Sequence, residues 1–309
     1  MLNVRKIFFD ETKKRAMDTY YDDYFSEIKD NLNGEMAPEH WDQYRKGSGG
    51  ETRPGKKGSG GEIRPPKMAC VYSSSAMAFN MLGNEKVTFI ENPHFAHGEY
   101  KIEYEKKLKI LKQSNGMSNI DVFLFNKDRE EAIFCEMKMR EWLNSPKKRL
   151  KEAYGNEENY CDGACEVFLA LIKDLQREKE QKDSQIKNYD VWQMFIHTLA
   201  IFKAFADGGK LKADKKCKKI TLANVVYKIE DWAPTDESDF KKTFEKWFEK
   251  EQKGFKRFHE IIFAQKSGLK DLFKNECGVD FNIVFITAHE FIDCMEKTNS
   301  EKKCLERYW

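Results

Sequence analysis

The sequence has no long hydrophobic run. Its longest apolar stretch, around Met194 to Ala206, is interrupted by His197 and Lys203, so no transmembrane helix is expected. Met1 to Lys14 lacks a signal-peptide core, because charged residues flank only a short Ile7-Phe8-Phe9. Charge imbalance is also missing: 34% of the residues are charged, yet the net charge is only +2. Any contact with nucleic acid must then rest on local rather than global positive charge. The eight cysteines include no CxxC pair, and the closest two, Cys161 and Cys165, have no His or second Cys pair at zinc-finger spacing. Reduced thiols in a cytoplasmic protein are the expectation. No base-reading motif is recognisable. What remains is a chain of 309 residues, long enough for a sizeable core in one large domain or one domain with appendages.

The chemistry centres on Ser118 to Trp142. Ser118-Asn119-Ile120-Asp121-Val122-Phe123-Leu124-Phe125 and Ala132-Ile133-Phe134-Cys135-Glu136-Met137-Lys138-Met139 are runs rich in β-branched and aromatic residues, joined by polar Asn126 to Glu131. This pattern predicts a β-hairpin. Antiparallel pairing sets the start of the first strand beside the end of the second, which brings Asp121 near Glu136 and Lys138. Glu136 and Lys138, two apart on a strand, share a face. Charges in an apolar strand are costly unless they are paired or bind a metal. Oxygen-only ligands suit Mg2+, and a neighbouring lysine can hold the attacking water and offset charge building on a phosphate. The alternative is a structural salt bridge. ExK alone is unspecific here: Glu27-Ile28-Lys29, Glu105-Lys106-Lys107, Glu180-Gln181-Lys182, Glu251-Gln252-Lys253 and Glu301-Lys302-Lys303 also fit, most of them in charged runs that read as solvated helix faces.

Asp121 with Glu136-Met137-Lys138 resembles the PD-(D/E)xK nuclease superfamily, with Cys135 and Met137 in its apolar slots and Ile120 where the family's proline often stands. Cys70 to Trp142, with Ser73-Ser74-Ser75-Ala76 opening a helix and Glu141-Trp142 closing the hairpin, is similar to a bacterial restriction-endonuclease-like branch. The resemblance covers roughly residues 40 to 230. It implies an α/β fold with an αβββαβ core, a mixed central sheet flanked by helices. It also implies Mg2+, with Mn2+ as a substitute, held by Asp121, Glu136, the Met137 carbonyl and an upstream acid. Glu105, with Glu103 behind it, is the candidate for that acid; protective charge on an edge strand is the competing explanation. Several branches place a Gln on the helix after the ExK strand, and Gln193 looks similar, whereas its neighbour His197 reads as a hydrogen-bonded core histidine.

Elsewhere, residues 9 to 32 predict a helix with a stripe of Met17, Tyr20, Tyr21, Tyr24, Phe25 and Ile28 that suits packing, or a second subunit in a homodimer. Residues 46–56 are repeated as 57–67 with nine of eleven positions identical. Eleven residues cannot bury a core, so this is a glycine-rich loop. Its cations, Lys46, Arg53, Lys56, Lys57, Arg64 and Lys67, suit phosphate contacts, although replication slippage in a surface loop explains the extra copy equally well. The run Lys147-Lys148-Arg149 offers a second backbone grip, or a solvated face. Further predicted elements are a helix over Ser73 to Asn84, a strand around Tyr100 to Leu111 with Glu103 and Glu105 on one face, and a helix over Asp190 to Phe205. They continue with a strand over Ile220 to Ile229, a helix over Glu237 to Gln265, a strand over Phe281 to Thr287 and a terminal helix over His289 to Glu306.

The expected organisation is an N-terminal helical segment (1–45), the repeat loop (46–67), a nuclease core (68–230) and a C-terminal α/β extension packed on it (231–309). The expected activity is Mg2+-dependent DNA hydrolysis by a restriction-type endonuclease, with Asp121, Glu136, Lys138, Glu105 and Gln193 at the site. Lys46, Arg53, Lys57, Arg64, Lys67, Lys147, Lys148 and Arg149 would contact DNA, and no membrane is involved. Rival expectations are an exonuclease or repair nuclease of the same superfamily and a non-catalytic nucleic-acid-binding or interaction module.

Overall fold

A computed structural model describes residues 24–25, 27–47, 51–54, 65–112, 116–139, 141–143, 150–160, 163–206, 211, 216–230, 239–305 and 308. Six strands form one sheet whose spatial order follows the chain: β1 (Lys86–Phe89), β2 (Gly98–Lys109), β3 (Met117–Asn126), β4 (Glu131–Lys138), β5 (Lys219–Val226) and β6 (Asp280–Thr287). The first four make an antiparallel meander, while β5 joins β4 and β6 joins β5 in parallel. Parallel neighbours need long crossovers. Here α3 (Cys165–Glu180) and α4 (Val191–Phe205) lie between β4 and β5, and α5 (Asp239–Ile262) and the single turn α6 (Leu269–Leu272) between β5 and β6. The protein is thus α/β with a mixed sheet, and β6 of the C-terminal region is hydrogen-bonded into that same sheet.

Alternating side chains feed two cores. One contains Ile133, Cys135, Ala223 and Val225 from the sheet with α2 (Ser74–Leu82) and Phe240, Phe244 and Phe248 of α5. The other contains Ala132, Phe134, Ile220 and Leu222 with α3, α4, and Phe258 and Ile262 of α5. Burying a large apolar side chain is worth about 1.5–3 kcal/mol. Phe123 and Phe134, whose ring centroids are 4.7 Å apart, tie the hairpin to the second core. Along the β2–β3 ribbon the faces exchange. Tyr104 and Val122 belong to the first core, but Leu108 and Ile120, also even-numbered, belong to the second. The exchange falls on Glu105, whose φ of 49° is left-handed, and on Asp121 opposite it. A regular strand would have kept even residues on one face.

The predicted helices at 73–84, 190–205 and 237–265 form, with Ser73 and Asp190 as side-chain N-caps and Gly83 ending α2 at φ 80°. Other expectations need correction. Where a helix was expected over residues 9 to 32, the described portion is extended at Tyr24, which bridges Cys70, and then a 3-10 turn at Ile28–Asn31. Asn31 donates to the carbonyls of Met68 and Cys70 at 2.7 and 2.8 Å, which ties this segment to the chain ahead of α2; Met17, Tyr20 and Tyr21 lie outside the described residues. The terminal helix is two pieces, α7 (Ala288–Asp293) and α8 (Asn299–Cys304). Between them Met295 bridges Phe89, and the Glu296 amide donates to Thr88 at 2.8 Å, so the chain leaves the helix to cover the edge strand. The predicted strand at 220–229 ends at Val226, and β1 and α3 are additional to the expected elements.

Candidate active site

Asp121, Glu136 and Lys138 converge at one end of the hairpin. Pairing of β3 with β4 is regular from Asn126↔Glu131 to Val122↔Cys135. Beyond it, the Met137 amide donates to Asp121 Oδ2 at 2.7 Å. A strand residue's N–H and C=O point to the same side, so the Met137 carbonyl also faces Asp121.

Glu136 sits within a buried network. Lys138 Nζ is 2.7 Å from Glu136 Oε1 and 2.5 Å from Gln193 Oε1, and Gln193 Nε2 donates to the same Glu136 oxygen at 2.5 Å. The other oxygen takes His197 Nε2 at 2.9 Å, and Ser118 Oγ is 2.5 Å from His197 Nδ1. With Nε2 donating to Glu136 and the Ser118 hydroxyl donating to Nδ1, all three groups are satisfied. Ser118 and His197 are each 3% exposed, and the two together anchor Glu136. The Asp190 cap accepts the Gln193 amide at 3.2 Å and so fixes the turn of α4 that carries Gln193.

Electrostatics separate the two acids. Burial pushes the Asp121 carboxyl well above the usual range, and the neighbouring Glu136 and Glu105 push it further, against the Met137 amide and Lys138. Burial would also raise Glu136, but the Lys138 ammonium and His197 outweigh it and hold its pKa down at about 2. Burial works against the Lys138 charge, yet Glu136, Glu141 and Asp190 together raise its pKa. The pair is therefore an ionised Glu136 locked to a lysine beside a crowded, proton-seeking Asp121.

Glu105 is 8% exposed and packs against α1 (Pro38–Lys46) at its end: a Cβ on Gly47 would stand 2.5 Å from Glu105 Oε2. Glu103, expected on the same face, pairs instead with Lys106 at 2.5 Å, because the left-handed residue breaks the alternation. Sequence reasoning missed Glu51. It lies in the first repeat copy, is 7% exposed, and accepts Ser75 Oγ and Lys67 Nζ at 3.1 Å each. The Tyr44 hydroxyl, which donates to the Ser75 carbonyl at 3.1 Å, is shifted upward by burial and Tyr104 and then by Glu105, Asp121 and Glu51. Nothing in a glycine-rich repeat marks one glutamate as the buried one.

Of the expected DNA contacts, Lys46 and Arg53 are exposed, and Lys67 is exposed but turned to Glu51. Lys57, Arg64, Lys147, Lys148 and Arg149 lie outside the described residues. Among the described residues no group of three His, Cys, Asp or Glu side chains is arranged to hold a metal ion, and no helix is long and apolar enough to cross a membrane. No family model, curated protein or solved structure matches this chain.

Proposed function

We propose that the chain is a metal-dependent nuclease with a restriction-endonuclease-like core that hydrolyses DNA phosphodiester bonds. The observation carrying this reading is the union of Asp121 with the Glu136-Met137-Lys138 strand through the 2.7 Å Met137 amide contact, beside a lysine held on Glu136. The donor chemistry suits Mg2+ or Mn2+: Asp121, Glu136 and Glu105 offer only oxygens, and the Asp121 carboxyl, raised by burial and then by Glu136 and Glu105, carries a charge cost that a divalent cation would offset. Bound there, with the Met137 carbonyl as a further ligand, the ion would supply an acidified water and neutralise phosphate charge.

The protein's own groups have separable roles in this reading. Lys138, kept protonated by its acidic neighbours, offsets negative charge growing on the phosphate oxygens. Gln193 fixes the ammonium and the Glu136 carboxylate at once, and His197 with Ser118 holds the other carboxylate oxygen. Lys46 and Arg53, both exposed, would meet the phosphate backbone.

One observation favours a second reading, a non-catalytic binding module: both Glu136 oxygens already have protein partners. Incubating the wild type and Asp121→Asn with supercoiled and linear DNA in Mg2+, Mn2+ or EDTA decides between them. Metal-dependent cutting lost in the variant supports the nuclease, with discrete fragments marking an endonuclease and progressive shortening an exonuclease. Metal-independent DNA binding, with no cutting and no cation affinity, points to the module.

A further inference from the structure

Glu251 occupies the buried face of α5 where that helix passes from one core to the other, between Phe240, Phe244 and Phe248 on one side and Phe258 and Ile262 on the other. It is 4% exposed, and its Oε2 has no hydrogen-bond partner. Gly254, one turn on, brings the helix close to the chain ahead of α4: a Cβ there would stand 2.7 Å from Tyr189 Cβ. A second buried oxygen without a partner, Asn224 Oδ1, belongs to the same neighbourhood. Asn224 stands beside Glu136 in the β4–β5 register, and its Nδ2 reaches the Tyr189 hydroxyl at 3.4 Å. The charged groups that act on Glu251 are Lys138 from β4 and Asp190 from the α4 cap. The Tyr189 hydroxyl in turn feels both Glu251 and Glu136.

Buried acceptors without donors are costly, so two of them, one within the electrostatic reach of Lys138 and the other next to Glu136 in the sheet, call for an explanation. Lys138 now donates to Glu136 and Gln193. On the nuclease reading, on which this inference rests, Glu136 must offer an oxygen to a cation. Yet Oε1 carries Lys138 and Gln193, and Oε2 carries His197. If the ammonium is displaced without another acceptor, a buried charge is left unpaired, which opposes cation binding.

We propose that Glu251 Oε2 and Asn224 Oδ1 form a second seat for the Lys138 ammonium, taken when a divalent cation claims Glu136. Glu251 is then a positioning residue that acts through Lys138. An ammonium has three donors, and this seat presents two oxygens with no other claim on them. The shift releases Glu136 Oε1 from the lysine, so that this oxygen can face the cation. In the unloaded protein burial, aided by Asp190 and opposed by Lys138, raises the Glu251 pKa to about 8, which keeps the seat largely uncharged until the ammonium arrives.

Calcium titration calorimetry on the full chain, without DNA, tests this in four proteins: wild type, Glu251→Gln, Lys138→Met and the double variant. Glu251→Gln is expected to weaken Ca2+ binding about tenfold when Lys138 is present and less than about twofold when residue 138 is Met. Asn224→Leu should give the same background-dependent loss and provides the test if Glu251→Gln does not fold. Equal weakening in both backgrounds would mean a through-space effect of the Glu251 charge alone, and no weakening in either would mean no seat. Both results overturn the inference and leave the nuclease reading standing. A wild type that binds no Ca2+, Mg2+ or Mn2+ removes the nuclease reading and this inference with it.

Discussion

Gly47 and Glu105 meet so closely that no side chain fits between them. A Cβ on Gly47 would lie 2.5 Å from Glu105 Oε2 and 2.9 Å from its Cβ, so the end of α1 and the turning point of β2 are packed as one surface.

Gly47→Ala should therefore displace Glu105 and cost about 1–3 kcal/mol of stability, the usual penalty of overpacking. On the nuclease reading, cleavage should fall as the acid leaves Asp121. Adding Glu105→Gly removes the clash, the Cβ contact at 2.9 Å included, and should recover most of the stability but, on the nuclease reading, none of the activity. Urea denaturation of the single and double variants checks the first point, and finding Gly47→Ala as stable as the wild type would show that the contact does not exist.

The Ser118–His197–Glu136 chain makes a different prediction. His197→Leu leaves Glu136 Oε2 buried without its donor and should destabilise by about 1–3 kcal/mol. Ser118→Ala should cost about 1–3 kcal/mol. The two losses should not add, because both remove support from the same carboxylate; additive effects in a double-mutant cycle would disprove the chain.

Stability should also depend on pH in two directions. The Glu251 pKa rises from 4.5 to about 8 in the folded protein. Its carboxyl binds a proton more tightly when folded, so its contribution is fully present below the unfolded pKa and is lost as pH rises from about 4.5 to 8. This amounts to an order of about 5 kcal/mol over the window. Asp121, also raised, acts in the same direction. Glu136, held down at about 2, contributes in the opposite sense: its stabilisation is present above 4.5 and disappears as pH falls through about 2. Glu251→Gln should flatten the slope between pH 5 and 8 and raise the melting temperature at pH 8. A slope in the variant equal to that of the wild type would contradict this assignment.

DNA affinity supplies a check on the exposed cations. With Ca2+ in place of Mg2+, Lys46→Glu with Arg53→Glu should weaken binding and lower the dependence of log K on log salt by about 2, in keeping with two lost phosphate contacts. Lys67→Ala should matter less, since its ammonium is turned to Glu51. Fluorescence anisotropy over a salt series measures both, and an unchanged slope in the double variant would place the DNA elsewhere.

The hairpin is legible in the sequence because its alternation is local and its turn is polar, and the convergence of Asp121 with Glu136 and Lys138 follows from antiparallel pairing alone. Gln193 is legible through resemblance to a family pattern, and the structure places it on both Glu136 and Lys138. The face shared by Glu103 and Glu105 is misread, because one residue with φ of 49° inverts the ribbon and nothing in Tyr-Glu-Lys announces a left-handed glutamate. Ser118, Glu51 and Glu251 escape notice for another reason. Each joins the site's surroundings through long-range packing, and in sequence each sits among many similar polar residues. The split of the terminal helix depends on the edge of β1, which is far away in the chain.

The agreement between strand order in space and in sequence has a consequence for how the protein assembles. Neighbour-to-neighbour pairing of β1 to β4 closes only short loops, so this meander can zip early, whereas β5 and β6 must wait for whole crossovers to be placed. Asp121 and Glu136 then meet before α4 delivers Gln193 and His197. During that interval the nascent hairpin holds two like charges with only Lys138 to reconcile them. On that order of assembly, the Asp121–Glu136 end of the hairpin stays electrostatically unfavourable until α4 docks.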